Sequence, residues 1–259
     1  WGVSGGSGPR AGGRLRPRPA TLPWAEPTLE AARGALADPA QDGWYRHGRT
    51  WFVGVDALPN GPDGDLPGGP PLTGAAVAAS GWEGPWHRAQ LSAIFPGYPR
   101  PDPDEGEAAH RFRRDRDGAH VDGILAEGPD RRRHVREPHA FVLGIGLTGA
   151  AGAAPLVVWE GSHAAMRAAF DAALAGSAPG AEGDADVTGV YTAARARVFR
   201  DCLRVEVPLA PGEAVLLHRL LLHGVAPWGT AAGAGPEGRA VAYLRPQMPG
   251  GVAAWLAAP

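Results

Sequence analysis

His120-Val121-Asp122-Gly123 and, far downstream, Gly212-Glu213-Ala214-Val215-Leu216-Leu217-His218-Arg219-Leu220-Leu221-Leu222-His223-Gly224 are the two stretches whose joint reading decides this chain. In a strand, side chains i and i+2 leave the same face roughly 7 Å apart along the backbone. Read as a strand over residues 120–125, the first stretch lets an imidazole and a carboxylate lean onto one ion at adjacent positions. A third ligand must then come from another strand. Neutral imidazole together with carboxylate suits Fe(II), Mn(II) or Zn(II). The second stretch offers His223 behind an apolar run, and Arg239 then opens a further apolar run, Ala240 to Leu244.

Composition narrows the chemistry. The chain has 259 residues, long enough for one sizeable core. Its net charge of −2 provides no global field toward nucleic acid or a membrane surface. All 25 basic residues are arginine. Schiff-base and pyridoxal-phosphate enzymes and P-loop nucleotidases need a lysine, so those classes are excluded. Cys202 is the single cysteine, which rules out an internal disulfide and any thiolate cluster within one chain. Its expected role is that of a small buried apolar residue. No apolar run approaches the roughly 20 residues of a membrane span. No signal peptide is visible, and the expected compartment is a reducing cytoplasm.

Residues 1–20 are Gly, Arg and Pro with almost nothing to bury, and read as a disordered tail. Residues 21–259 read as a single domain with helical N-terminal additions. Thr28 is placed to cap a helix over 29–37, and Trp86 to Phe95 reads as a short helix stopped by Pro96-Gly97. Residues 100–117 are charged and loop-like. Helical spacing places Met166, Phe170 and Leu174 on one face of a helix over 163–175, and a second helix is expected over 190–200. Strands are expected at 49–55, 120–125, 140–147, 155–159, 203–207, 214–218 and 240–244. Short strands with turn signals point to a sandwich or barrel.

From His120 onward the chain resembles the phytanoyl-CoA dioxygenase-like family of Fe(II)/2-oxoglutarate-dependent oxygenases. Three segments carry the resemblance: His120-Val121-Asp122, Pro155-Leu156-Val157-Val158-Trp159-Glu160-Gly161-Ser162-His163, and Gly212 to Gly224 followed by Arg239. Together they span residues 118–246, about half the chain. The resemblance implies a mainly β fold, a double-stranded β-helix or jelly roll, with helices packed outside. It implies that His120, Asp122 and His223 hold Fe(II) as a facial triad. It places the remote carboxylate of 2-oxoglutarate on Arg239, whose fork suits two parallel charge-assisted hydrogen bonds. Arg245, on the same face by strand parity, is the rival anchor. The implied reaction consumes O2 and 2-oxoglutarate, releases succinate and CO2, and hydroxylates a small organic molecule.

The remaining polar residues read as structural. His218 closes an apolar strand and reads as a satisfied, partly buried histidine. His163 reads as a helix-start residue, and Ser162 lacks the G-x-S-x-G surroundings of a hydrolase nucleophile. His134 and His139 read as surface or packing residues. The basic runs Arg111–Arg114 and Arg131–Arg136 read as solvated loops paired with Asp115, Asp117 and Glu137, and no nucleic-acid recognition motif is present. Two other functions share the pattern: a cupin-like metalloenzyme that does not use 2-oxoglutarate, and a non-catalytic binding protein that keeps the fold. Substrate identity and oligomeric state are not encoded legibly.

Overall fold

A computed structural model describes residues 22–149, 152–178, 180–229 and 235–258. The expected tail, residues 1–20, lies outside the described residues. All strands pair antiparallel. In chain order they are β1 (Tyr45–Arg46), β2 (Trp51–Gly54), β3 (Gln90–Ile94), β4 (Ile124–Glu127), β5 (Arg132–Val135), β6 (Phe141–Gly146), β7 (Leu156–Trp159), β8 (Arg204–Val207), β9 (Ala214–His218), β10 (His223–Val225) and β11 (Arg239–Leu244). The helices are α1 (Leu22–Ala37), α2 (Ala75–Ser80), α3 (Glu107–Asp115), α4 (Ser162–Leu174), α5 (Thr188–Asp201) and α6 (Gly251–Ala257). The larger sheet runs β1-β2-β3-β11-β6-β9, the smaller β10-β7-β8, and β4-β5 form a separate hairpin.

Strand alternation sets the layering. One face of the larger sheet carries Phe52, Leu91, Leu143, Ile145, Leu216 and Ala242 against Trp24, Leu58 and Trp86. Its other face sets Val142, Val215, Leu217 and Val241 against Leu156, Val158 and Val207 of the smaller sheet. The smaller sheet's outer residues Val157 and Trp159 join Met166, Phe170, Tyr191, Val198 and Trp255 from the helices. The result is two facing sheets with helices on both outer sides. Each fully buried large apolar side chain contributes about 1.5–3 kcal/mol. The expected helical face on α4 is confirmed, with Met166, Phe170 and Leu174 all buried.

Several expectations are corrected. The segment expected as a helix at 86–95 contains β3, buried at every position between α1 and the sheet interior. Residues 120–125 are not one strand: His120 forms a single bridge to His223, and β4 starts only at Ile124. The 100–117 loop contains α3. Thr28 is no cap; it lies inside α1, where its hydroxyl donates to Trp24 O at 2.6 Å. Within the second basic run, Arg132–Val135 is strand β5. The arginine partners also differ. Arg136 forks onto Glu127 and reaches Asp184, Arg132 reaches Asp186, and Arg113 holds Glu105. Arg114 does pair with Asp115, whereas buried Asp117 is paired with Arg204.

Candidate metal centre

The two histidines meet through their backbones first. His120 N–H donates to His223 O at 2.8 Å, and His223 N–H returns the bond to His120 O at 3.0 Å. This pair seats the two rings side by side, with centroids 4.7 Å apart. Each neighbour is then pinned from the helical layer. Val121 N–H donates to the Tyr191 hydroxyl at 3.1 Å, and Leu222 N–H donates to Ser162 Oγ at 2.9 Å. Val121 and Leu222 point into the helix-covered core, which leaves His120, Asp122 and His223 facing the other way.

Gly123 turns the chain just after Asp122. Its φ is +80°, and a Cβ there would stand 1.9 Å from Glu137 O, so only glycine fits. Gly224 permits a similar approach beside His223: a Cβ would lie 2.3 Å from Asp117 O. Convergence of His120 and Asp122 therefore comes from a bridge and a tight turn, not from the regular strand the spacing suggested.

The ring tautomers are set locally. His120 Nδ1 lies 3.0 Å from Gly118 O, and His223 Nδ1 lies 2.9 Å from Leu221 O. A carbonyl can only accept, so each Nδ1 carries a proton, and Nε2 is the atom left to offer a lone pair to a metal. Both Nε2 atoms face one carboxylate oxygen. His120 Nε2 is 3.1 Å and His223 Nε2 is 3.7 Å from Asp122 Oδ1. Metal–ligand bonds of about 2.0–2.2 Å place neighbouring donors on one ion roughly 3 Å apart. The three donor atoms lie within 4.8 Å of one another and could hold a metal ion. Asp122 and His223 are buried, whereas the His120 side chain is 46% exposed, so the cluster is open on that side.

Electrostatics favour a charged carboxylate and a neutral His223, and draw His120 toward its protonated form. Burial opposes ionisation of Asp122, but His223, the hydrogen bond from His120 and the Arg245 guanidinium hold its pKa well below the usual carboxylate range. Burial pushes His223 down. Burial also disfavours a charged His120, but the Asp122 hydrogen bond and charge outweigh it and raise that ring's pKa.

Two arginines share the inner face of β11 and its continuation. Arg239 is buried, and neither terminal guanidinium nitrogen has a partner among the described residues. It also borders a cavity of about 160 Å³ lined by Gly149, Gly152, Leu209 and Ala210. Arg245 is engaged instead. Its Nη1 lies 3.5 Å from Asp122 Oδ2, its Nη2 donates to Gln90 Oε1, and its backbone N–H donates to His87 Nε2 at 2.6 Å. Arg245 thus belongs with the carboxylate ligand and not with an open anion site. Gln90, Tyr191 and the Ser162 hydroxyl were not anticipated. Gln90 was hidden by the helical reading of its segment, while Ser162 stood in a quoted motif without an assigned partner.

The other histidines stay outside the cluster. His218 ends β9, its ring 4.9 Å from that of His163 and its Nε2 3.1 Å from Arg167 Nη2 on α4. His134 Nδ1 contacts Ala185 O, and His139 is buried beside Glu137. Cys202 is partly buried against the helical core.

No family model and no curated protein matches the chain. Solved structures do. One is the non-haem alpha-ketoglutarate-dependent carbocyclase SnoK from nogalamycin biosynthesis, at 16% identity and TM-score 0.28, over 49% of this chain and 41% of that one. A second is AviO1 from Streptomyces viridochromogenes Tue57, at 17% identity and TM-score 0.38, over 93% of each chain. A third is EctD from S. alaskensis with bound Fe, at 17% identity and TM-score 0.48, over 93% of this chain and 77% of that one. The chain thus spans well under two thirds of SnoK.

Proposed function

We propose that this chain is an Fe(II)/2-oxoglutarate-dependent dioxygenase of the phytanoyl-CoA dioxygenase-like kind, hydroxylating a small organic molecule. The observation that carries this reading is Arg239. A buried guanidinium with two unpartnered nitrogens is strongly unfavourable unless an anion completes it. It lies on the same inner face as the arginine that touches Asp122. A dicarboxylate that chelates a metal through one end and meets a guanidinium with the other fits such an arrangement.

The fold supports the same reading. The strands β3-β11-β6-β9 face β10-β7-β8, and the His120 bridge extends the second layer beside β10. Two facing antiparallel layers in this order fit a double-stranded β-helix. We take residues 22–258 as one domain, because both sheets share one interior.

The donor set fits iron: two neutral imidazoles and one carboxylate on one side, with the opposite side open. His120, Asp122 and His223 would hold it, and Arg239 would hold 2-oxoglutarate. That pair supplies oxidative decarboxylation coupled to C–H hydroxylation, with succinate and CO2 released. The chain's own part is positional. Gly118 and Leu221 fix the proton on each Nδ1, and Tyr191 and Ser162 fix the ligand-bearing backbone. No general base is required.

The test is succinate formation from 2-oxoglutarate under ¹⁸O₂ with Fe(II). One ¹⁸O atom per succinate, lost in Asp122→Ala and in Arg239→Gln, is the expected result. Iron binding without succinate formation across a broad substrate panel would favour the cupin-like or non-catalytic alternative.

A further inference from the structure

Asp122 has two carboxylate oxygens in different surroundings. Oδ1 faces both ligand histidines, at 3.1 and 3.7 Å. Oδ2 faces Arg245 Nη1 at 3.5 Å. Arg245 is itself held in place. Its other terminal nitrogen donates to buried Gln90 on β3, and its backbone N–H donates to His87 Nε2 at 2.6 Å. His87 can accept there because its Nδ1 lies 2.6 Å from Arg88 O and carries the ring proton. Arg245 is thus held at its backbone by His87 and at its guanidinium by Gln90.

We propose that Arg245 is a positioning residue that forces Asp122 to bind its metal through Oδ1 alone. The inference rests on the triad being a metal site but not on the use of 2-oxoglutarate. Its consequence is a coordination count. In a six-coordinate ion, a carboxylate bound through both oxygens would occupy one of the positions that co-substrate and dioxygen need. A guanidinium on Oδ2 keeps that position open. It also sets a positive charge beside the ion, which weakens binding. Arg245 therefore favours open coordination over affinity.

This gives Arg245→Gln a signature that general damage to the site would not produce. With Mn(II) as the probe, water-proton relaxivity per bound ion should fall by about one third as one of about three waters is displaced. Affinity for Mn(II) should at the same time rise several-fold. Arg245→Lys should return both values toward wild type. Gln90→Leu removes the brace without touching Asp122 and should shift both in the direction of Arg245→Gln, which keeps the test usable if Arg245→Gln fails to fold. Unchanged relaxivity in Arg245→Gln and Gln90→Leu, or a lower affinity with relaxivity unchanged, would overturn the proposal. Failure of the wild type to bind Mn(II), Fe(II) or Co(II) would overturn it together with the metal reading. Failure only of 2-oxoglutarate to bind would leave it standing.

Discussion

At the scale of single residues, Arg239 buries two guanidinium nitrogens without a partner among the described residues, a cost that the proposed 2-oxoglutarate carboxylate would remove. Arg239→Met should raise the thermal midpoint of ligand-free protein, by on the order of 1 kcal/mol or more in stability. The same change should abolish stabilisation by 2-oxoglutarate; a destabilised variant that still responds to the ligand would argue against the assignment. His218 provides an independent pH test. Burial, with Arg219, His163 and Arg167 close by, pushes its pKa down to about 3 from an ordinary 6.5. The native state therefore holds this ring neutral while the unfolded chain protonates it. Its contribution is complete above pH 6.5 and is lost as pH falls from there toward 3. Urea midpoints of wild type should drop more steeply over that window than those of His218→Gln. Equal slopes would contradict the neutral, buried ring.

At the scale of elements, the ligands depend on hydrogen bonds from α4 and α5. Ser162→Ala leaves Leu222 N–H buried without a partner, at a cost of about 1–3 kcal/mol. Metal affinity should fall with stability, because Leu222 precedes His223; unfolding curves and Fe(II) titrations of one preparation measure both. Gly123→Ala should be more severe, since a Cβ would meet Glu137 O at 1.9 Å. The three clustered donors were legible because H-x-D and a later histidine are local patterns. The path that brings them together was not, because a single bridge and a glycine turn leave no periodic trace. Strand β3 was misread for a related reason. Gln90-Leu91-Ser92-Ala93-Ile94 is buried on both faces, and a short buried run has no alternation to separate strand from helix. Strand β5 looked like a loop because its arginines find distant partners, Asp186 for Arg132 and the Tyr191 ring for Arg133, that no local pattern shows.

At the scale of the whole molecule, two sheets enclose an apolar layer, helices brace the edge that carries the candidate donors, and His120 marks the exposed side. Arg239 and Arg245 share a face by strand parity, which the sequence could show, but only the packed structure separates their tasks. Both terminal nitrogens of Arg239 lack a partner among the described residues, whereas those of Arg245 meet Asp122 and Gln90. A ligand that binds only the native state stabilises it by about 2.7 kcal/mol at a hundredfold excess over its Kd. Fe(II) should therefore raise the melting temperature of wild type and not of His223→Ala, as read by anaerobic calorimetry. The most direct test of the central claim is anaerobic titration of the Fe(II)-loaded protein with 2-oxoglutarate, following the weak visible metal-to-ligand charge-transfer band. The account expects a saturable band in wild type that is absent in His120→Ala and needs far more 2-oxoglutarate in Arg239→Gln. An iron-loaded wild type that develops no band at any concentration would contradict it.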